Sequence, residues 1–271
     1  MNAKIREIGV LNLVIVLIGL SVTCGSDKST NNGPENSIVS NHQSALAFAN
    51  IPESYINQIK SEFRIFYMHT SHGSQVVSGM TLLEADDELF SVNEGDSSLT
   101  LFEYGGDLGH NGDTAWVPIT RAQLDSPEHD YNMAFWSWCA GVSDNTEQGI
   151  NTYLNAVNGL EQDYPNVTFI YMTGHLDGTG ADGNLYERNN QIRAYCQANN
   201  KYLFDFADIE SYDPDGNYYP DASDACDWCD AWCAEHDCPD CSCAHSQCFN
   251  CHQKGKAFWW LLARIAGWNG N

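Results

Sequence analysis

Four apolar runs of strand length, separated by segments with helical spacing, constrain this chain more than any other feature. They are FRIFYMH (63–69), YNMAFWSWC (131–139), NVTFIYMTGH (166–175) and KYLFDFADI (201–209). Each is nearly continuous in apolar residues, as a strand covered on both faces must be. Between and around them lie IPESYINQIKSEF, SQVVSGMTLLEADDELF, DNTEQGINTYLNAVNGLEQDY and LYERNNQIRAYCQANN, and the chain closes on the apolar helix KGKAFWWLLARIAGW. Strand alternating with helix predicts an α/β fold: three α/β/α layers around a mainly parallel sheet. In such sheets ligands bind beyond the carboxyl ends of the strands. Residues 86–130, rich in Gly, Asp and aromatics, are expected to form loops over that edge.

The N-terminus reads as an export signal over residues 1–24. Lys4 and Arg6 precede the apolar run Val10–Leu20, which is short for a membrane span, and small residues lead to Cys24. Cys24 resembles a bacterial lipoprotein processing site, so lipidation and membrane attachment there are part of the expectation. Residues 25–45 are polar and read as a flexible tether, with the folded domain over 46–271. Export places the protein in the periplasm, on the outer membrane or outside the cell.

Composition narrows the partners. A formal charge of −24 leaves no clustered Lys and Arg for a phosphate backbone, which argues against nucleic acid. Eight of the eleven cysteines crowd between Cys226 and Cys251. In an oxidising compartment they predict a disulfide-stapled insert, residues 222–253, before the last helix. Within it, C-x-x-C spacings and Cys248-Phe-Asn-Cys251-His252 offer zinc or covalent haem as alternatives, though haem also needs an apolar pocket and an axial partner. Cys139 and Cys196 lie outside the cluster, either paired with each other or left as thiols.

The chemistry concentrates in three places. In His69-Thr-Ser-His72-Gly-Ser74, Ser71 is a candidate nucleophile in a strand-to-helix turn, where backbone N–H groups can stabilise an oxyanion. His72 is the adjacent base, and Ser74 fits better as a helix cap. In TGHLDGTG, His175 could donate to a developing oxyanion. In CAHSQCFNCHQKG, His245 is the preferred base for Ser71, with His252 behind it. The H-x-x-H spacing of His69 and His72, with His175, His245 or His110, would also suit a catalytic metal. Last, DPDGNYYPD spaces Asp213, Asp215, Asn217 and Asp221 like the start of a structural calcium loop. It lacks the closing Glu, because residue 224 is Asp. Hydrolysis by a serine needs no cofactor.

These stretches together, with FWSWC, LFDFADIESYDPDG and the terminal helix, resemble an uncharacterised group of exported bacterial proteins related to the SGNH (GDSL-like) hydrolases, over about Ile51 to Trp268. The resemblance implies a flavodoxin-like α/β/α fold and hydrolysis of esters, often acyl groups on carbohydrates or lipids. His69-Thr70-Ser71 stands where that superfamily has Gly-Asp-Ser. Gly174-His175-Leu176-Asp177 stands for its Gly-x-Asn-Asp, and the closing Asp-x-x-His falls at His245 with Ser242 for the aspartate. A metal-dependent hydrolase and a cell-surface binding protein that has lost the chemistry are the alternatives.

Overall fold

The computed structural model describes residues 34–270; the signal segment and Cys24 lie outside them. Six strands form one sheet: β1 (Ile38–Ser40), β2 (Arg64–His69), β3 (Thr100–Gly105), β4 (Met133–Trp136), β5 (Thr168–Met172) and β6 (Tyr202–Phe204). Their order is β1-β6-β5-β4-β2-β3, and every pairing is parallel. The four apolar runs are the contiguous inner strands β6, β5, β4 and β2, as expected of strands buried on both faces.

The two edge strands correct the sequence reading. β1 and the start of the helix α1 (His42–Ala47) fall within the expected tether of residues 25–45, so the folded domain reaches back at least to Ile38. Three residues carry too little pattern to declare a strand. β1 is fixed by its partners, pairing with Tyr202–Phe204 and donating from Ser40 Oγ to the Ala257 carbonyl at 2.7 Å. β3 and the helix α4 (Trp116–Leu124) fall within the expected loops of 86–130. β3 is half exposed, with Leu101 buried and Phe102 at the surface, so it lacks the apolar continuity of the inner strands.

The remaining helices are α2 (Glu53–Glu62), α3 (Ser74–Asp86), α5 (Glu147–Asp163), α6 (Asn184–Ala198), α7 (Phe206–Ser211), α8 (Cys229–Cys233) and α9 (Cys248–Ile265). Successive residues of β4 show the three layers, since neighbours on a strand point to opposite faces. Phe135 stacks on Phe258 of α9, while Trp136 packs on Trp116 of α4 and donates to Thr120 Oγ1. α9 packs among α1, α2, α3, α7 and the sheet, and Ala257 to Ala263 are all buried. A stretch enclosed this way is apolar around its whole circumference, whereas the first turns of α9 also bury the polar Asn250, Gln253 and Lys254.

α3 and α9 meet backbone to backbone. A Cβ at Gly79 would lie 1.9 Å from the Cys251 carbonyl oxygen, and one at Gly255 would lie 2.3 Å from the Gly79 carbonyl carbon. This crossing seats the start of α3, and the turn before it, against the cysteine-rich insert. Cys226–Cys229, Cys233–Cys238, Cys241–Cys248 and Cys243–Cys251 are disulfides, and Cys139 and Cys196 are free thiols. All eight clustered sulfurs are therefore used, and none is left as a thiolate for zinc or haem. The insert packs Ala222, Trp228 and Phe249 with Leu176 and Ala207 of the sheet domain in a second small core.

Gly79→Ala is expected to lower unfolding free energy by about 3 kcal/mol, because backbone cannot yield as a side chain can. Gly159→Ala, in α5 with open space at its Cβ, should be neutral or stabilising by up to about 1 kcal/mol. Urea denaturation of the two variants checks the contrast.

Candidate functional site

Beneath the carboxyl edge of the sheet lies a buried charge pair. Lys254 of α9 and Glu210 of α7 are both wholly enclosed, with Nζ 2.7 Å from Oε1. Burial holds the Lys254 amine below its usual pKa, opposed by the Glu210 charge. Isolated charges could not be enclosed this way, and the remaining bonding capacity is directed upward. Glu210 Oε2 accepts the Leu176 N–H at 2.7 Å, beside His175. Lys254 also donates to Gln75, whose Nε2 donates to the Ala244 carbonyl at 2.5 Å, beside His245. One buried pair thus anchors the two loops that carry His175 and His245.

Above it, three imidazoles form a stack. His72 lies parallel to His175, with centroids 3.7 Å apart and planes 2° apart, and His245 covers the other side at 4.5 Å and 10°. His72 Nε2 lies 2.8 Å from Asp224 Oδ2, and its Nδ1 lies 3.3 Å from Cys139 Sγ. A carboxylate accepts, so Nε2 carries the proton and Nδ1 presents a lone pair to the thiol. Desolvation pulls the His72 pKa down to about 4; Asp224 opposes the shift, and His175 and His245 add to it. His72 is therefore a neutral base at pH 7.

Four of the expected site residues come together here, in roles the sequence did not separate. Ser71 Oγ is 3.6 Å from Cys139 Sγ, and among the described residues it makes no hydrogen bond to an imidazole. His245 stands over His72 rather than beside Ser71, held in a left-handed conformation (φ 61°) between Cys243 and Cys248, both in disulfides. His175 accepts the Ala140 N–H at Nε2 (3.1 Å) and donates from Nδ1 to the Leu176 carbonyl (2.7 Å). Its only N–H is thus engaged, which leaves none for an oxyanion. Ser74 is the first residue of α3 and donates to the Ser71 carbonyl at 2.7 Å, a turn-closing role. His252 is on α9 and outside the stack, its pKa also lowered to about 4 by burial.

For a metal, His72, His175 and Asp224 do bring one ligand atom each within 4.8 Å of one another. An imidazole binds an ion in the plane of its ring, about 2 Å from the nitrogen. One ion cannot lie in two parallel planes stacked this way, and both His175 nitrogens are already engaged. His69 turns away to Glu103 (2.8 Å), and His110 pairs with Asp144 (2.6 Å). The expected His69–His72–His175 set is not assembled.

The calcium expectation also meets a different arrangement. Asp213 accepts from Asn217 N (2.9 Å), Asn217 Nδ2 (2.8 Å) and Tyr219 OH (2.9 Å), closing a turn at Gly216. Asp221 packs on Gly180, and the carboxylates of Asp213, Asp215 and Asp221 do not converge.

Sequence reasoning did not single out Cys139 or Asp224 as site residues. Cys139 ends a run assigned as a buried strand, in the next loop of the same sheet edge, and that position was the available signal. Asp224 was visible only as the residue that spoils a calcium motif.

No protein-family model and no curated protein matches the chain. Among solved structures it is similar to a protein of Bacteroides fragilis NCTC 9343 described as a proposed acylhydrolase. The identity is 12%, over 66% of this chain and 82% of that one, with a TM-score of 0.36. A likeness at this level carries no argument about chemistry.

Lys254→Met is expected to cost about 3–5 kcal/mol, because Glu210 would be left as an uncompensated buried charge. The Lys254→Met/Glu210→Gln double variant should recover part of that loss in denaturant titrations.

Proposed function

We propose that the protein is an exported hydrolase that cleaves acyl esters by covalent catalysis at the carboxyl edge of the sheet, with His72 as general base. One observation carries this reading: a neutral, enclosed imidazole is held through Nε2 by a carboxylate while Nδ1 faces the Cys139 thiol, with the Ser71 hydroxyl beside that sulfur. A nucleophile, a base and a group that orients the base are the parts that acyl transfer requires. Asp224 fixes the tautomer, and the flanking rings of His175 and His245 fix the ring's tilt and exclude water from its faces. Four disulfides are of the kind exported proteins carry.

An acylated carbohydrate is the favoured substrate. A cavity of about 260 Å³ is lined by Leu176 and Asp177, the two residues after His175, and by Ala222, two residues before Asp224. Its wall includes Tyr186 and Tyr218, exposed by 39% and 47%, with Tyr218 stacked on Tyr212 at 4.8 Å. Exposed aromatic faces beside Asp208 and Asn190 suit the apolar faces and hydroxyls of a sugar ring.

With an aryl acetate as substrate, His72→Ala should reduce kcat/KM by at least about 100-fold. The wild-type acid limb should lie near the His72 pKa of about 4, with activity lost as pH falls through that value, since protonation removes the base. An acid limb near the ordinary histidine value, or a fully active His72→Ala enzyme, would contradict the role. A non-catalytic binding protein would show no turnover at any pH, and a metal-dependent hydrolase would lose activity to a chelator.

Tyr218→Ala should raise KM for an acetylated oligosaccharide by roughly 2–10-fold, as expected for loss of one aromatic contact. Its kinetics on the aryl acetate should be unchanged. Equal effects on both substrates would remove the cavity from the sugar-binding role.

A further inference from the structure

We propose that Cys139 is the nucleophile of this site and that Ser71 supplies a hydroxyl to the oxyanion. This rests on the acyl-hydrolase reading and departs from the serine chemistry that the resemblance implies.

The geometry distinguishes the two side chains. Cys139 Sγ lies 3.3 Å from His72 Nδ1, within hydrogen-bond reach for sulfur, and His72 Nε2 is bound to Asp224 at 2.8 Å. Thiol, imidazole and carboxylate are therefore in relay order. Among the described residues Ser71 Oγ has the sulfur at 3.6 Å as its partner and no imidazole addresses its proton.

The chain also presents the thiol firmly. Cys139 follows β4 by three residues, between two fixed neighbours. Trp138 is buried and donates from Nε1 to the Met172 carbonyl at 2.9 Å. Ala140 is in a left-handed conformation (φ 63°), its N–H bound to His175. A non-glycine residue held there is strained, and such strain persists where surrounding contacts impose it. Here it turns the cysteine out of the strand toward His72.

The other free thiol provides the contrast. Cys196 is fully enclosed in α6, and burial raises its pKa, as for an inert core cysteine. Cys139 is only partly buried and has a base. The remaining eight described cysteines are in disulfides.

In the first step His72 Nδ1 takes the thiol proton as sulfur bonds to the acyl carbon and the carbonyl π pair moves onto oxygen. The oxyanion forms beside the Ser71 hydroxyl, which donates to it. Collapse breaks the C–O bond, and the imidazolium returns its proton to the departing alkoxide, leaving a thioester. Water then attacks that thioester, His72 takes its proton, and the C–S bond breaks. The imidazolium reprotonates the thiolate, so ester and water become acid and alcohol with no oxidant or reductant. The lowered His72 pKa suits this sequence, because the resting base is neutral.

Trypsin separates the candidates: Ser71 lies on peptide 65–121, Cys139 on 122–188 and Cys196 on 194–201. The protein is mixed with p-nitrophenyl acetate, quenched in acid, digested and weighed. The expected result is an acetyl group on Cys139 that neutral hydroxylamine removes. Cys139→Ala, with its folding checked by thermal melting, should lose at least about 1,000-fold in turnover, the size of effect seen on deleting a nucleophile. Ser71→Ala should keep the thioester adduct with turnover lower by roughly 100-fold, as for loss of one oxyanion donor. An adduct on Ser71, with Cys139→Ala still active, overturns the assignment while leaving the hydrolase reading intact. Absence of adduct and turnover in the wild-type protein sinks the hydrolase reading itself. Iodoacetamide alkylation needs no substrate and tests the pairing separately. The rate at Cys139 should fall at least about tenfold in His72→Gln, because the neutral imidazole takes the thiol proton as sulfur attacks the alkylating carbon. An unchanged rate would overturn the Cys139–His72 pair.

Discussion

The enclosed pair of Lys254 and Glu210 is the constraint on which the rest of the site depends. A charge pair without solvent must be fully bonded, and here its surplus bonding reaches Leu176 N–H directly and the Ala244 carbonyl through Gln75. The residues next in sequence are His175 and His245, the two faces of the imidazole stack. The pair therefore sets where the flanking rings stand, and they set where His72 stands. Apolar residues in its place would fill the same space beneath the sheet, but the loops above would lose their common reference.

The covalent cross-links act at the other end of the same arrangement. The segment between Cys241 and Gln247 is only partly buried or exposed, with no core of its own. Disulfides to Cys248 and Cys251 tie it to the first turn of α9. That turn packs on α3 through Gly79, so the loop, α9 and the Ser71–Gly73 turn form one connected unit. Positioning within about 1 Å matters for a base, and this unit supplies it from a loop that could not pack by itself.

The inner sheet was legible in sequence because β2, β4, β5 and β6 are covered on both faces and so are written as unbroken apolar runs. β1 and β3 were not, because three residues, or a half-exposed edge, leave no such run. The site was legible in part. Ser71, His72, His175 and His245 were readable as polar residues after strands or before the last helix, and the fold brings all four together. Their roles were not readable, since a role depends on the partner. Cys139 is 67 residues from His72, and Asp224 is 152 residues from it. No local spacing records such pairings, which arise only when β2, β4 and the insert converge.

The chemistry of the site turns on His72 as a neutral base, its Nε2 proton held by Asp224 and its Nδ1 lone pair facing Cys139. Nitrogen NMR of the histidine-labelled protein at pH 7 tests this most directly. The expected spectrum shows a protonated Nε2 and an unprotonated Nδ1 for His72, unchanged by lowering the pH to 5.5. A proton on Nδ1, or a doubly protonated ring at pH 7, would contradict it.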